Sequence, residues 1–322
     1  MKYLGNKQRL FKFLEKVMRL SEREGQLALD GFCGTGNVSY LFKSHGMNTI
    51  SNDFLKFSCN RTRAILLNNN PPKLESLETT KHNGFIYNNY SETSGVRVFK
   101  DNISQHIDGC NIELSNLKNS LSEDEFSYYK AQVVEAADFR SNIMGSYESF
   151  YKSGWRKQCL KQWRLEEFKL IQGTTQHIVY NKNIIDLLNS DLPHLDFIYL
   201  DPPYNSRQYS SLFHVLETIA LDDSPATSGV NNKRRLYKKS NFSSKRKAEK
   251  NFENLSSLCA KRTDEVFLSY STDGIVSFDK LKQTFLKNFK NVTLHLLPYR
   301  RFKTNKNTRK DKLKEIILHA SK

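Results

Sequence analysis

No apolar run in the 322 residues approaches the roughly 18 that a membrane-spanning helix needs. The N-terminal stretch has no apolar core of the signal-peptide kind, so a soluble, cytoplasmic protein without a membrane partner is expected. Cysteine is sparse and unpatterned: the five, at 33, 59, 110, 159 and 259, form no Cys-x-x-Cys pair and no cluster with His. That spacing argues against structural zinc and fits reduced thiols, and no metal is expected. Acids are the third shortage, with 34 Asp and Glu facing 50 Lys and Arg, a formal charge of +16. An excess of this size points to association with a polyanion rather than to a fold. A dinucleotide fingerprint is missing too, because the one glycine-rich loop near the N-terminus lacks the Gly-x-Gly-x-x-Gly spacing.

Against these absences stands one stretch, Asp196-Phe197-Ile198-Tyr199-Leu200-Asp201-Pro202-Pro203-Tyr204. Its apolar run reads as a short buried strand that stops where two prolines remove backbone donors and fix φ. The strand delivers Asp201 and Tyr204 to its carboxyl edge, and open α/β sheets bind ligands outside that edge. The chemistry such a turn suits is methylation of an exocyclic amine on a nucleobase. The lone pair of that amine is delocalised into the ring, and hydrogen bonds from its two hydrogens return electron density to nitrogen. Asp201 can accept one of them and the carbonyl of Pro202 the other, with Pro203 stiffening the turn. Tyr204 offers a flat face for an extruded base. Taken alone, the same four residues are also ordinary turn punctuation.

The rest of the chain supplies context. Met1 to Lys7 leads through a glycine turn into Leu10, Phe11, Phe13, Leu14, Val17 and Met18, apolar at helical spacing. A lysine near a helix start opposes the helix dipole, so Lys7 either meets a carboxylate or ligand or is merely solvated. Gln26 to Asp30 is a short apolar strand that runs through Phe32 into a loop with Gly31, Gly34 and Gly36. Glycines there let the backbone approach a bound nucleotide-type cofactor. Asp53 closes a second strand at about the 20-residue distance where a carboxylate takes ribose hydroxyls; its alternative role is to cap a helix. Asp186, beside apolar Ile184, Ile185, Leu187 and Leu188, either reaches an adenine amine or caps the short helix after it.

The length suits one large domain or a core with an insertion. The pattern divides it into a catalytic core, 1–67 and 177–322, and a helical insertion, 68–176, that is a candidate for reading nucleic acid. Lys152, Arg156, Lys157, Lys161 and Arg164 lie there among aromatics, as a phosphate-binding face or a solvated one. Residues 224–250 read as a basic, mobile loop that orders on nucleic acid, or as a plain unstructured charge run. Val292 to Leu297 and Glu315 to His319 read as a closing strand pair with a basic tip, placed to meet a phosphate backbone.

With these residues in view the chain resembles the site-specific adenine DNA methyltransferases of the Dam-like D12 class, in which the cofactor motif precedes the catalytic one. Tyr3 to Lys7 is similar to the family's N-terminal motif, Asp30 to Gly36 to its methionine-binding loop, Asp53 to its ribose acid and Asp201 to Tyr204 to its catalytic tetrapeptide. Asn205 to Tyr209, Leu268 to Ser271 and Tyr299 to Lys303 are similar to a subgroup found in restriction-modification systems. The resemblance implies a class I, Rossmann-like α/β fold with a mostly parallel sheet and an antiparallel terminal hairpin. It implies S-adenosylmethionine as cofactor, touching Tyr3, Lys7, Asp53 and Asp201, double-stranded DNA as substrate and a cognate restriction endonuclease as a possible partner. Methylation of adenine in RNA, and a binding module of the same fold without turnover, are the alternatives; oligomeric state is left open.

Overall fold

The computed structural model describes residues 10–72, 74, 77, 80–298 and 314–322. Five strands are parallel neighbours or lead to them: β1 (Leu27–Asp30), β2 (Asn48–Asn52), β3 (His177–Tyr180), β4 (Phe197–Leu200) and, after a detached ribbon of β5 (Thr227–Ser228) and β6 (Lys233–Arg234), β7 (Glu265–Ser271). β8 (Asn291–Pro298) and β9 (Lys314–Ser321) follow. The main sheet has seven strands in the order β3-β2-β1-β4-β7-β9-β8. Only β9 runs against its neighbours, pairing antiparallel with both β7 and β8. The expected closing hairpin is therefore present, with its second strand inserted between β7 and β8. Its tip, Arg300 to Lys303 and Arg309-Lys310, lies outside the described residues.

Strand alternation explains the layering. In β4 every residue is buried, yet successive side chains face opposite sides. Phe197 and Tyr199 join a core with α1 (Phe11–Met18) and α2 (Asn37–Ser44). Ile198 and Leu200 join another that includes residues of α7 (Ile184–Asn189), α10 (Ala248–Arg262) and α11 (Phe278–Leu286). Complete burial of one such side chain is worth roughly 1.5–3 kcal/mol, so a four-residue strand is enough to anchor the centre of the sheet.

A third core joins α3 (Lys56–Leu67), α4 (Phe85–Tyr90), α5 (Asp101–Asn116) and α6 (Glu123–Phe139) to α8 (Tyr209–Leu212) and α9 (His214–Leu221). The segment 68–176 thus shares its interior with helices from both flanking parts of the chain. The α-helices of that segment end at Phe139. The start of α6 is set by a capping box: the Ser122 hydroxyl accepts from the Glu125 N–H at 3.2 Å and the Glu125 carboxylate accepts from the Ser122 N–H at 3.0 Å. Beyond Phe139 the chain runs to β3 in irregular form, through bends, an isolated bridge between Ile143 and Phe150 and a short 3₁₀ turn at Lys157–Leu160. Among its cations Lys152, Lys157, Lys161 and Arg164 are exposed, while Arg156 is half-buried and donates to the Ser141 carbonyl at 2.7 Å. Among the described residues no helix is long and apolar enough to cross a membrane.

One glycine of this third core reports close packing. A Cβ on Gly109, in the middle of α5, would overlap the Thr80 carbonyl and sit 2.8 Å from the Lys81 nitrogen. In an exposed helix Gly→Ala gains about 1 kcal/mol. Here the crossing backbone must move, so Gly109→Ala is expected to destabilise by about 1–3 kcal/mol, read as a lower urea midpoint at unchanged m-value. A raised midpoint would show that the 80–81 crossing yields easily.

Candidate active site

The sheet changes direction of winding at β1: β2 and β3 lie to one side of it, β4 and β7 to the other. A crevice opens outside the carboxyl ends of strands at such a switch point. The ends of β1 and β4 are locked in register there, Asp30 opposite Tyr199, with the Gly31 N–H donating to the Tyr199 carbonyl at 2.9 Å. The glycine loop after β1 and the Asp-Pro-Pro-Tyr turn after β4 therefore leave the sheet side by side. They line one open-mouthed cleft.

Asp30, Phe32, Gly34, Asp53, Asp201, Pro202, Pro203 and Tyr204 all border this cleft, so eight of the residues singled out from the sequence meet in one place. Pro202 is buried and Asp201, Pro203 and Tyr204 are half-buried. The turn is tied down from the β7 side, where the Ile275 N–H donates to the Tyr204 carbonyl at 2.8 Å and the Tyr204 ring meets Tyr270 edge-on at 6.3 Å. A rigid acid and a rigid aromatic face are the result.

Asp53 holds the loop. One of its carboxylate oxygens accepts the Gly34 N–H at 3.0 Å and the other the Leu55 N–H at 2.9 Å, at the approach to α3. The two readings of this acid, helix lead-in and ligand acid, are compatible, since each carboxylate oxygen has a further acceptor site. Burial raises its pKa to about 6; those N–H groups and the Lys238 ammonium pull the other way. Asp30 is wholly buried, and one of its oxygens accepts from Ser39 Oγ at 2.6 Å, itself an acceptor of the Ser51 hydroxyl at 2.8 Å. Its Oδ1 has no partner among the described residues. Burial, with the nearby negative charge of Asp201 and Asp53, raises its pKa to about 7. A buried acid with an open acceptor in a cleft wall is a place for a cationic or hydrogen-bond-donating ligand group.

Gly36 does not border the cleft. It starts α2 with φ 72°, and a Cβ there would lie 2.6 Å from Thr62 Oγ1 and 3.1 Å from its Cα. Its role is to let the loop close onto α3. Tyr3 and Lys7 lie outside the described residues. Asp186 stands apart: it is exposed on α7 and lines neither this cleft nor its neighbour. Asn183, which caps α7 by accepting the Ile185 N–H at 3.0 Å, faces the neighbouring cleft instead, together with Asn52 and Lys182. The residues that lead from β3 into α7, Lys182 to Ile184, reach that cleft, and Asp186, although in the first turn of the helix, does not.

Phe54 and Tyr209 also border the main cleft, and composition did not single them out. Phe54 had a signal in its position, an aromatic directly after the acid that ends β2. The segment 224–250, expected as a mobile loop, holds the β5–β6 ribbon, a 3₁₀ turn at Asn241–Ser243 and the start of α10. The Gln208 side chain donates to the Ser240 carbonyl at 3.1 Å and accepts the Ser240 N–H at 2.7 Å. Ser210 Oγ donates to the Lys238 carbonyl, and Lys238 Nζ to the Phe54 carbonyl. These bonds pin residues 238–240 to the rim of the cleft. Not every cation here is available, as Arg234 is buried against Asp223 at 2.5 Å.

Residues 3–272 match the family described as D12 class N6 adenine-specific DNA methyltransferase. Modification methylase LlaI of Lactococcus lactis subsp. lactis is 31% identical, covering 100% of this chain and 55% of its own length. Type II methyltransferase M.FokI of Planomicrobium okeanokoites is 28% identical, covering 100% of this chain and 53% of its own length. Type II methyltransferase M.NlaIII of Neisseria lactamica is 32% identical, covering 95% of this chain and 93% of its own length. The chain spans about half the length of LlaI, M.FokI and a third relative, modification methylase StsI of Streptococcus sanguinis.

Proposed function

The chain belongs to the D12 class N6 adenine-specific DNA methyltransferases, and from that membership we propose that it methylates the exocyclic amine of a flipped adenine in a specific duplex DNA sequence, as the modification half of a restriction-modification system. The observation that carries the reading is the shared cleft, in which the Asp201–Tyr204 turn and the Asp30–Gly34 loop leave adjacent strands at the switch point. The names of the relatives as modification methylases support the biological setting, with a nuclease of the same specificity as partner and the cytoplasm as the place of action.

The residues present fit S-adenosylmethionine. Asp30 offers an unmatched buried oxygen at the cleft wall for a cationic group, Asp53 has acceptor capacity left for ribose hydroxyls, and Phe32 and Phe54 supply apolar sides. That cofactor brings a methyl group already activated on a sulfonium, so the protein's part is positioning and tuning of one amine. Asp201 and the Pro202 carbonyl accept the two amine hydrogens and raise the electron density on nitrogen. Tyr204 supports the base by stacking. Asp201, half-exposed, then relays to solvent the proton that the amine releases.

The test is transfer of radiolabelled methyl from S-adenosylmethionine to unmethylated phage DNA and to RNA in parallel, followed by nucleoside analysis and mapping of the modified positions. Label in DNA as N6-methyladenine at one short sequence is the expected result. Label confined to RNA moves the activity to transcripts. Cofactor binding without any transfer leaves only a binding role.

A further inference from the structure

Two large apolar side chains are far more exposed than any others among the described residues: Val230 and Leu236, each 87% accessible, the next being Leu160 at 66%. Both lie in the stretch between Ser224 and Ala248, which carries eight Lys and Arg and no acid. Leu236 follows the β5–β6 ribbon. The ribbon is held on both sides: the Arg235 N–H donates to the Ala226 carbonyl at 2.9 Å, Tyr90 Oη to the Asn232 carbonyl at 2.8 Å, and the Asn232 side chain to the Asn89 carbonyl at 2.9 Å. On its other side Leu236 is two residues from Lys238, which bonds to Ser210 and Phe54 at the cleft rim. Two residues of chain span at most about 7 Å. Leu236 is therefore held within about 7 Å, Cα to Cα, of a residue bonded at the cleft rim, with its side chain in solvent.

An exposed leucine held between two anchors has a cost in water that packing does not offset, and its setting selects its occupant. Arg235 and Lys239 near it in sequence are exposed, and although Lys233 and Arg234 are paired with Glu148 and Asp223, the remaining cations repel basic partners and attract a phosphate backbone. Resting on the adenine-methyltransferase reading above, we infer that Leu236 is a wedge: on binding, it enters the duplex at the target step and fills the space vacated when the adenine turns into the cleft. Apolar side chains inserted between base steps act in this way in other DNA-bound proteins, where the larger protein surface that the distorted duplex meets offsets the cost of unstacking. Leu236 acts as a positioning residue, because it touches the DNA stack and not the reacting atoms. Its distance along the chain from the cleft rim distinguishes it from Val230, which sits at the ribbon tip beside the anchors to α4.

The experiment uses the full chain and a duplex containing the site mapped by the transfer assay, with 2-aminopurine in place of the target adenine so that its fluorescence rises on unstacking. Leu236→Ala is expected to lower the fluorescence gain at saturating protein and the single-turnover methylation rate on the adenine duplex, each by about tenfold, while Leu236→Met stays close to the unsubstituted protein. Placing the target adenine opposite an abasic site, which removes its pairing, is expected to restore most of the L236A rate; a merely structural defect would not be rescued. If L236A matches the unsubstituted protein on the paired duplex, or if V230A rather than L236A loses the fluorescence gain, the wedge is overturned while the methyltransferase reading stands. If the unsubstituted protein methylates no DNA at all, that reading fails and the wedge with it.

Discussion

Asp201→Ala is expected to leave a folded protein that binds duplex DNA within a few-fold of the original affinity but transfers methyl at least about 10²–10³-fold more slowly. The side chain is half-buried at the end of a turn fixed by Pro202, Pro203 and the Ile275–Tyr204 hydrogen bond, so its removal neither opens a core nor frees the backbone. What disappears is the negative acceptor at the amine. Its interaction strengthens as positive charge builds on the nitrogen in the transition state, so the loss falls on kcat more than on KM. Asp201→Asn keeps the shape and one acceptor without the charge and is expected to fall between the two. Single-turnover methylation beside a DNA-binding titration checks both. An alanine variant that retains more than about a tenth of the rate would remove the carboxylate from the chemistry, since even one lost hydrogen bond of this kind costs more.

The second large effect has opposite signs for stability and for activity. Asp30→Asn is expected to stabilise the cofactor-free protein at pH 8 and to weaken its function. The folded carboxyl has a pKa raised to about 7 from the ordinary 3.8, because burial and the neighbouring charges of Asp201 and Asp53 disfavour its ionised form. The native state then binds more protons than the unfolded one between those values, so stability falls as pH rises through that window. Below about pH 4 both states are protonated and the group contributes nothing; above pH 7 the whole cost is present. At about 1.36 kcal/mol per pKa unit it is on the order of 4 kcal/mol. Asn keeps an acceptor for the Ser39 hydroxyl and has no proton to lose. The gain of D30N over the original protein is therefore expected to be small at pH 4.5 and to grow toward pH 8, measured as the difference in urea midpoint at each pH. A gain that is flat with pH would mean that Asp30 does not titrate in the folded protein. Cofactor affinity should move the other way, because the cationic group that Asp30 is placed to receive loses its counter-charge. Natural sites commonly give up stability for function in this manner.

How much of this was legible before folding is clearest residue by residue. The turn at Asp201–Tyr204, the loop at Asp30–Gly36 and the acid at Asp53 are encoded in local runs of the chain. An apolar stretch of four residues followed by prolines or glycines can be little other than a strand meeting a loop, and the order of those runs reads as an α/β sheet with its site at the carboxyl edge. The pairing of Val292–Leu297 with Glu315–His319 was legible for the same reason. Four things required the tertiary structure. Asp186 turned away from the clefts because a helix advances 100° per residue and its start is set by Asn183, so one position decides which way an acid points. The insertion fused with α3 and α9 because its helices bury apolar faces against them as well as against one another, which is a fact about other parts of the chain. Phe54 and Tyr209 reached the cleft from separate elements. The segment 224–250 read as a basic mobile loop because composition counts its cations, whereas the Gln208–Ser240 exchange and the Lys238–Phe54 contact that hold it in the structure join residues distant in sequence. The sequence by itself determined which chemistry is available and which strands carry it, through short-range pattern. The depth to which Asp30 is buried, the tethering of residues 238–240 and the exposure of Leu236 were decided only by packing, because burial and long-range hydrogen bonds depend on what the rest of the chain places beside each residue.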